Sequence, residues 1–427
     1  MSQEYEQEQS ARQRRERYQT RKRQAALRLV CVICLCIATL LVLCVVLLRS
    51  CDQTPDASTS QPSATQLPQA TEPSAPKEGQ SVITVVAGGD VNVTDQVVAA
   101  GMKDGRFDFS AMFMDIAPVF AGADVGIINL EGNLVGAPYG TESGSAPQEL
   151  MEALERAGVD FVQVANSYAL KNGILGLNTT IDRIRQAGME PLGAFESQQA
   201  YEQSQGFTLK EINGIRVAFV AFTKGMGGLS LPSGSEDRVN LLYKDYATTY
   251  KQIDEAGIRA TLQAVQAQQP DVTIALLHWG SEHKSIISEN QKKIKNLLLE
   301  AGVDAIIGTH SHYVQKVEYD AQAGTVVAYS LGDLVGDATA TDTNYSILLQ
   351  LQITKDHATG ETKITACSYE SVYTLTPGRD GEAIRLVRLD PAMAMYENNH
   401  VNKVSAKAYE SMKSAKSKIL SKTGMSF

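Results

Sequence analysis

The chain has 427 residues, of which 43% are hydrophobic and 20% are charged, and its formal net charge is −9. This composition is typical of globular proteins, and the length allows one large domain or two ordinary domains plus appendages. Residues 1–51 carry nine Arg or Lys against four Glu, a net charge of +5, so the rest of the chain carries −14. An acidic body of this kind argues against a nucleic-acid-binding protein.

The six cysteines are as unevenly distributed as the charge. Five of them lie between Cys31 and Cys51, in or just after an apolar run, and only Cys367 lies in the rest of the chain. Small apolar side chains in a membrane helix explain this group better than a thiolate zinc site does. The sequence therefore predicts neither a structural zinc site nor a disulfide scaffold.

Leu29 to Leu48 is an uninterrupted run of 20 uncharged residues. At about 1.5 Å per residue it is long enough to cross the hydrocarbon core of a bilayer, which is about 30 Å thick. A cleaved signal peptide has an apolar run of about 7–15 residues, so we expect a retained transmembrane helix at 29–48. The basic residues of segment 1–28 place that tail in the cytoplasm. We therefore expect a single-pass cell-membrane protein whose remaining residues lie outside the cytoplasm.

The rest of the chain divides by composition. Residues 49–80 are rich in Pro, Ser and Thr and predict a disordered linker. Residues 81–390 predict the folded domain, and residues 391–427 predict a Lys-rich tail that is helical. The apolar stripe of that tail indicates a helix that packs on the domain, or alternatively one that lies on a membrane surface.

Predicted strands and helices alternate through most of the domain, and the last part is mainly β. This order predicts an α/β protein with two sheets covered by helices. The predicted strands are Val82–Ala87, Val125–Leu130, Phe161–Ala165, Phe207–Ile212, Ile215–Phe222, Val272–Leu277, Ala305–Ile307, Val314–Tyr319, Val326–Ser330, Tyr345–Ile353 and Lys363–Tyr369. The predicted helices are Phe109–Ala121, Leu150–Ala157, Leu177–Ala187, Ala256–Gln268 and Glu289–Ala301.

Polar side chains that can bind metals stand at the carboxyl ends of several predicted strands. They are Asp90, Glu131, Asn166, His278, His310 and His312. Any one of them alone is better explained as a cap, a loop acid or a satisfied buried histidine. Ligands bind at this edge of open α/β sheets, however, and the six together form an oxygen and nitrogen ligand set suited to Mn, Fe or Zn.

The same residues carry a resemblance to a known family. The motifs Gly89-Asp90-Val91, Asn129-Leu130-Glu131, Ala165-Asn166, His278-Trp279-Gly280-x-Glu282, Gly308-Thr309-His310-Ser311-His312-Tyr313-Val314-Gln315 and Tyr329-Ser330-Leu331-Gly332-Asp333 occur in this order. Residues 82–337 resemble the bacterial capsule-synthesis proteins of the CapA type, which are poly-γ-glutamate accessory proteins. These form a branch of the calcineurin-like metallophosphoesterases.

The resemblance implies a four-layer α/β/β/α sandwich with two divalent metal ions at one end. One ion would be bound by Asp90, Glu131 and His312, and the other by Glu131, Asn166, His278 and His310. Asn92 takes the ligand position at which the wider phosphoesterase pattern has a histidine, and it would be a weaker oxygen donor to the metal. Glu282 and Gln315 would orient the ligand histidines.

One departure from the family bears on catalysis. The family has Ala-Asn-Asn-His-x-x-Asp where this chain has Tyr168 and Lys171 in place of His and Asp. A phenol titrates near pH 10 in water, and general acid help contributes about 10²–10⁴-fold, so we expect slow or absent turnover. Metal binding is less affected, since Asn166 is retained. The replacement of an expected Asn by Asp333 carries little weight.

Three functions remain open. The first is a membrane-anchored protein with a hydrolase-like metal site that assists synthesis, export or attachment of an anionic polymer, together with membrane capsule-synthesis subunits. The second is a non-catalytic scaffold of the same fold that binds polymer or partner. The third is a general metallophosphoesterase that acts on phosphoesters.

Overall fold

The structure is a computed structural model that describes residues 77–425, apart from 337, 339, 378–379, 381–382 and 399–403. The predicted tail at 1–28, the predicted membrane helix at 29–48 and most of the predicted linker lie outside the described residues. Among the helices that are described, none combines the length and hydropathy that a bilayer span requires.

The strands and helices follow the predicted alternation. The strands are β1 (Gln80–Asn92), β2 (Met102–Lys103), β3 (Arg106–Phe107), β4 (Val125–Glu131), β5 (Phe161–Gln163), β6 (Glu190–Leu192), β7 (Phe207–Ile212), β8 (Ile215–Thr223), β9 (Val272–His278), β10 (Ala305–Thr309), β11 (Val317–Asp320), β12 (Thr325–Ala328), β13 (Asp333–Val335), β14 (Tyr345–Asp356), β15 (Thr362–Leu375) and β16 (Arg385–Arg388). The helices are α1 (Asp95–Gly101), α2 (Ser110–Phe113), α3 (Ala117–Ala121), α4 (Gln148–Arg156), α5 (Gly173–Gln186), α6 (Gln198–Ser204), α7 (Glu255–Ala267), α8 (Glu289–Glu300), α9 (Leu389–Glu397) and α10 (Ala406–Thr423).

Two large sheets form the body of the described domain. The larger has the order β16-β15-β14-β1-β4-β5-β6, with β13 paired to β1 as its eighth strand, and the smaller has the order β11-β12-β10-β9-β8-β7. The strands β1, β4, β5 and β6 are parallel to one another, as are β8, β9, β10 and β12. Each sheet therefore has one edge at which several carboxyl ends lie side by side.

Alternating side chains of the smaller sheet show how the layers pack. Val217 and Phe219 of β8 belong to the core between the sheets, and the Phe219 ring stacks on Phe161 of the larger sheet with 4.5 Å between centroids. Ala218 and Val220 point the other way, into a second core that they share with α7 and α8. Successive strand residues point to opposite faces, so a buried strand with apolar residues on both faces separates two layers. The expected mixed α/β fold with two sheets is confirmed.

A short recurring device fixes the amino ends of the parallel strands. An aspartate stands immediately before β4, β5, β9 and β10, and its carboxylate accepts a hydrogen bond of 2.7–2.8 Å from a backbone N–H near the start of the neighbouring strand. The pairs are Asp124 with Thr84, Asp160 with Gly126, Asp271 with Arg216, and Asp304 with Thr273. These hydrogen bonds fix the amino ends of the parallel strands, and the loops that carry the predicted site lie at the opposite edge of the sheets.

The C-terminal helix α10 packs on the larger sheet. Its side chains Ala408, Met412, Ala415 and Ile419 are buried, and the helix contacts β14 and β15. The apolar stripe noted in the sequence therefore faces the domain.

The predicted helix Phe109–Ala121 is wrong as a single element. The structure has two short helices there, α2 and α3, and Pro118 lies in the first turn of the second. Proline lacks the N–H that a continuing helix needs but is well accommodated at a helix start, so the chain begins a new helix instead.

Candidate metal centre

The six predicted ligand residues lie at the carboxyl ends of strands from both sheets. Asp90 lies near the end of β1, Glu131 ends β4 and Asn166 follows β5, all in the larger sheet. His278 ends β9, while His310 and His312 follow β10 in the smaller sheet. The carboxylates thus come from one sheet and the imidazoles from the other.

Glu131, His278 and His310 form the first of two groups that could hold a metal ion, with one ligand atom of each lying within 4.8 Å of the others. The three side chains are buried, and the rings of His278 and His310 have their centroids 4.3 Å apart. Burial lowers the pKa of both histidines well below the usual value. Burial, and next the charge of Asp90, raises the pKa of Glu131 well above its usual value. Neutral imidazoles are the form that binds metal ions.

Two members of this group contain buried polar atoms without a hydrogen bond. Glu131 Oε1 and both ring nitrogens of His310 have no hydrogen-bond partner among the described residues. Glu131 Oε1 lies 3.3 Å from His278 Nε2, but this approach does not form a hydrogen bond. Buried polar atoms are nearly always paired, so three such atoms in one place need an explanation.

Asp90, His312 and Asp333 form the second group, within the same distance limit. His312 Nδ1 lies 2.8 Å from Asp333 Oδ1. Burial lowers the pKa of His312, but Asp333, Glu131 and Asp90 outweigh it and raise that pKa to about 10. Burial raises the pKa of Asp90 to about 6, although His312 opposes the shift.

A chain of side-chain amides joins the carboxylate side of the site. Asn129 Nδ2 donates to Asp90 Oδ1 at 2.6 Å, and Asn166 Nδ2 donates to Asn129 Oδ1 at 3.0 Å and to the carbonyl oxygen of Leu130 at 2.7 Å. The amide oxygen of Asn166 accepts the N–H of Tyr168 at 2.9 Å. The hydrogen bonds seen for Asn166 therefore hold the carboxylate-bearing loops together.

The remaining sequence-predicted residues take several positions around the two groups. Asn92 hydrogen-bonds to Asp333. Glu282 is exposed and lines the cleft above the groups. Gln315 is buried, and its side-chain amide bonds to the carbonyl oxygen of Lys284 at 2.8 Å and to Gln291 at 3.5 Å. A buried amide must satisfy its own donors, and Gln315 does so on this loop; that it orients a ligand histidine stays a prediction.

Residues that were not predicted from the sequence to belong to the site also contact its histidines. Thr309 Oγ1 lies 3.3 Å from His278 Nδ1, and Ser167 Oγ lies 3.0 Å from His278 Nε2. Asp333, which replaces the family's Asn, lies 2.8 Å from His312 Nδ1 and holds that ring. The backbone N–H of His310 donates to Asp90 Oδ2 at 3.0 Å, which joins the two sheets directly.

A cleft of about 280 Å³ gives access to both groups. Its walls include Tyr168, Glu282, His283, Thr94 and Thr141. Burial raises the pKa of the Tyr168 phenol to about 12, with smaller contributions from Glu131, Glu282 and Asp333. At neutral pH this side chain is therefore a hydrogen-bond donor and not a source of protons.

The residues present fit divalent cations. The carboxylates and imidazoles are ligands suited to Mn, Fe or Zn, and the unpaired atoms of Glu131 and His310 are ones that a cation would satisfy. Asp90, His312 and Asp333 would hold a second cation beside them. This pairing differs from the expected one in bringing Asp333 to His312.

Comparison with known proteins gives the family. The family described as "Bacterial capsule synthesis protein PGA_cap" matches residues 84–338. The chain is 26% identical over 215 residues to the "Capsule biosynthesis protein CapA" of Bacillus anthracis, covering 50% of this chain and 49% of that protein. It is 25% identical over 264 residues to the "PGA biosynthesis protein CapA" of Bacillus subtilis (strain 168), covering 60% of this chain and 64% of that protein. The matches thus span less than two thirds of the length of either relative.

Solved structures of phosphatases are also similar, at low identity. A phosphatase from Mycoplasma pneumoniae has a TM-score of 0.44 and 14% identity, covering 70% of this chain and 96% of that one. The calcineurin-like phosphoesterase YfkN from Bacillus subtilis has a TM-score of 0.42 and 13% identity, covering 80% of this chain and 98% of that one. The family match covers more than half of the 427 residues and includes both groups of side chains that could hold a metal ion. The chain therefore belongs to the bacterial capsule synthesis protein family.

Proposed function

We propose that this protein is anchored in the cell membrane by residues 29–48, faces outward, and acts on an anionic capsule polymer of the poly-γ-glutamate type during its synthesis, export or attachment. Two divalent cations would occupy the groups around Glu131 and Asp333. The observation that carries the proposal is the set of buried, unpaired ligand atoms on Glu131 and His310, in a chain of the capsule synthesis family. The names of the Bacillus relatives support the choice of polymer.

The side chains have distinct roles in this proposal. Divalent cations, when bound, act as Lewis acids toward a phosphoryl or carbonyl oxygen. The neutral rings of His278 and His310 would bind one cation together with Glu131. Asp333 fixes the ring of His312 through the 2.8 Å contact at Nδ1 and leaves Nε2 as the ligand atom. Tyr168 would donate a hydrogen bond to a substrate oxygen in the cleft.

A specific observation also favours a second function, a scaffold that binds polymer without turnover. The phenol of Tyr168 replaces the family's histidine, and its pKa of about 12 leaves it protonated throughout the physiological range. A group that holds its proton this tightly is a poor general acid. Binding chemistry would survive this replacement, whereas proton transfer to a leaving group would not.

Metal content and hydrolysis test the proposal on the full-length chain. Elemental analysis of the purified protein should find bound Mn, Fe or Zn, and the Glu131→Ala and His310→Ala variants should lose it. Hydrolysis of bis(p-nitrophenyl) phosphate and of poly-γ-glutamate should fall with the metal. Glu142→Ala is the matched control, because Glu142 is exposed.

The outcomes separate the two functions. Metal-dependent hydrolysis that both site variants abolish supports the hydrolase. Polymer binding without hydrolysis supports the scaffold, and a wild type that behaves like both site variants in every measurement contradicts a metal site.

The orientation of the domain in the membrane is tested separately, in spheroplasts. Protease added to intact spheroplasts should digest the domain at 81–390, since the proposal places it outside the cytoplasmic membrane. Digestion that occurs only after lysis would contradict the outward orientation.

A further inference from the structure

The loop of residues 340–344 forms a wall between the metal cleft and a second cavity. Ala340 and Thr343 line the cleft. Ala340 and Asp342 line the second cavity, of about 300 Å³, whose opposite side is formed by Ser411 and Ser414 of α10. The position of this loop therefore affects the width of the cleft.

Asp342 ties the loop to the C-terminal helix. Its carboxylate oxygens accept hydrogen bonds from Lys418 Nζ at 2.6 Å and from Lys422 Nζ at 3.1 Å. The side chains of Asp342 and Lys422 are only 20% and 18% exposed, so water screens this pair less than it screens a surface ion pair. Asp342 also has φ +66°, a backbone conformation that aspartate and asparagine tolerate better than most residues.

Lys422 also reaches the loop that carries two of the histidines. Its ammonium lies 4.9 Å from the ring centroid of Tyr313 and 5.1 Å from that of Tyr345. Both distances are within the range of a cation–π interaction. Tyr313 directly follows His312, and Tyr345 begins β14 below the loop. One ammonium thus contacts the cleft wall, the histidine loop and the sheet.

Two other lysines of α10 serve as internal comparisons. Lys416 pairs with Asp390, and Lys413 pairs with Glu410 within the helix. Neither contacts the loop of residues 340–344 in the part of the chain that the structure describes. Lys418 and Lys422, by contrast, both pair with Asp342 on that loop.

We propose that Asp342, Lys418 and Lys422 form a clamp through which the C-terminal helix positions one wall of the metal cleft, so that these three residues determine how a substrate fits. This inference rests on the proposed function in so far as the cleft is the substrate site. Asp342 and the helix lie beyond the family match at 84–338, so the clamp belongs to this chain's own C-terminal part. The three are positioning residues, since they act on the cleft through the loop.

The test compares two variants of the full-length protein. The double variant carries Lys418→Met and Lys422→Met, and the single variant Lys413→Met is the matched control. Amide hydrogen exchange in peptides that cover residues 340–344 and 310–316 should speed up roughly fivefold or more, because loss of a partly buried ion pair raises the population of the open loop. Exchange in β14 and β15 should stay as in the control. The single variant Lys422→Arg should keep most of the wild-type protection against amide exchange, since it keeps the charge.

A kinetic measurement adds a readout that a general loss of stability does not produce. With Mn²⁺ present, KM for bis(p-nitrophenyl) phosphate should rise in the double variant and in Asp342→Asn, while kcat and the Mn²⁺ content stay near those of the control. Asp342→Asn removes the charge but keeps a residue that tolerates positive φ.

Each outcome decides one of the two proposals. If the wild type binds no metal and hydrolyses nothing, the proposed function fails and hydrogen exchange alone decides the clamp. Exchange in the two loops equal to that of Lys413→Met would overturn the clamp. Faster exchange spread evenly through β14 and β15 would also overturn it, because the lysines would then support the whole domain and not the cleft wall.

Discussion

Replacing Glu131 by Gln should change protein stability in opposite directions with and without metal. Glu131 is 3% exposed, its Oε1 has no hydrogen-bond partner among the described residues, and burial, followed by the charge of Asp90, raises its pKa. Leaving a buried polar group unpaired costs about 1–3 kcal/mol, and more when the group is charged. Glutamine keeps the shape and the unpaired oxygen but removes the charge, so the metal-free variant should be more stable than the wild type by about 1 kcal/mol.

Bound metal should reverse this order of stability between the wild type and Glu131→Gln. A ligand present at 100 times its dissociation constant stabilises the folded state by about 2.7 kcal/mol. The wild type should gain this stabilisation from Mn²⁺, and Glu131→Gln should lose most of it, because an amide oxygen is a weaker ligand than a carboxylate. The variant should then be the less stable protein.

The pH dependence follows from the direction of the shift. The folded protein holds the Glu131 proton more tightly than the unfolded chain, whose value is 4.5, so ionisation of this group destabilises the fold progressively as pH rises above 4.5. Below that pH both states are protonated. The advantage of the metal-free variant should therefore be largest at neutral pH and vanish toward pH 4.

Urea unfolding in EDTA and in excess Mn²⁺, at several pH values, measures all three effects. Glu142→Gln is the control, because this glutamate is exposed and should give no difference in either condition. A Glu131→Gln variant that is less stable than the wild type in EDTA, or that gains as much from Mn²⁺, would refute the assignment of Glu131 as a ligand.

Three further changes test other parts of the structure. Tyr168→His should raise kcat for bis(p-nitrophenyl) phosphate by about 10²-fold if the missing histidine limits turnover, and an unchanged kcat at pH 7 would show that it does not. Gly308→Ala should lower the free energy of unfolding in urea by about 1–3 kcal/mol or more, since its Cβ would lie 2.1 Å from the carbonyl oxygen of Tyr329; wild-type stability would show that the two strands separate without cost. Asp304→Asn should remove a loss of stability of about 3 kcal/mol that develops between about pH 4 and pH 6, because burial raises the pKa of Asp304 from 3.8 to about 6; equal pH profiles of unfolding for the two proteins would contradict that shift.

The sequence was sufficient for those parts of the site that depend on strand direction. Glu131 and His278 each end a long apolar strand and Asp90 lies near the end of another. The carboxyl ends of parallel strands lie at one edge whatever the details of packing. The strands could be recognised because each has enough buried, β-branched residues to be distinguished from a loop.

The position of Asp333 beside the site could not be predicted from the sequence. Its strand β13 has three residues and gives no periodic signal, and its place beside Asp90 comes only from pairing with β1. Strand β6 was missed in the same way, since it has three residues and contains Pro191. Tertiary pairing, and not local propensity, creates such elements.

The role of the aspartates before four of the parallel strands was also not predicted, although their pattern is visible in the sequence. Gly158-Val159-Asp160 and Gly302-Val303-Asp304 have the same form, with a glycine of positive φ after a helix and an aspartate before a strand. Each residue alone is an ordinary helix end or loop acid. Only the hydrogen bonds to neighbouring strands show that they act together.

The origin of the ligands in two different sheets explains why a metal would matter to the fold as well as to the chemistry. The polar contacts that cross between the sheets at this edge include the His310 N–H to Asp90, Ser167 at 3.0 Å from the His278 ring, and His312 at 2.8 Å from Asp333. A cation held by Glu131 from one sheet and by His278 and His310 from the other would add bonds across the same gap and remove the repulsion between Asp90 and Glu131. Metal loading should therefore slow amide exchange at the carboxyl ends of β4 and β9 and leave their amino ends, which the strand-start aspartates tie, unchanged. Equal protection at both ends would mean that the cation does not join the two sheets.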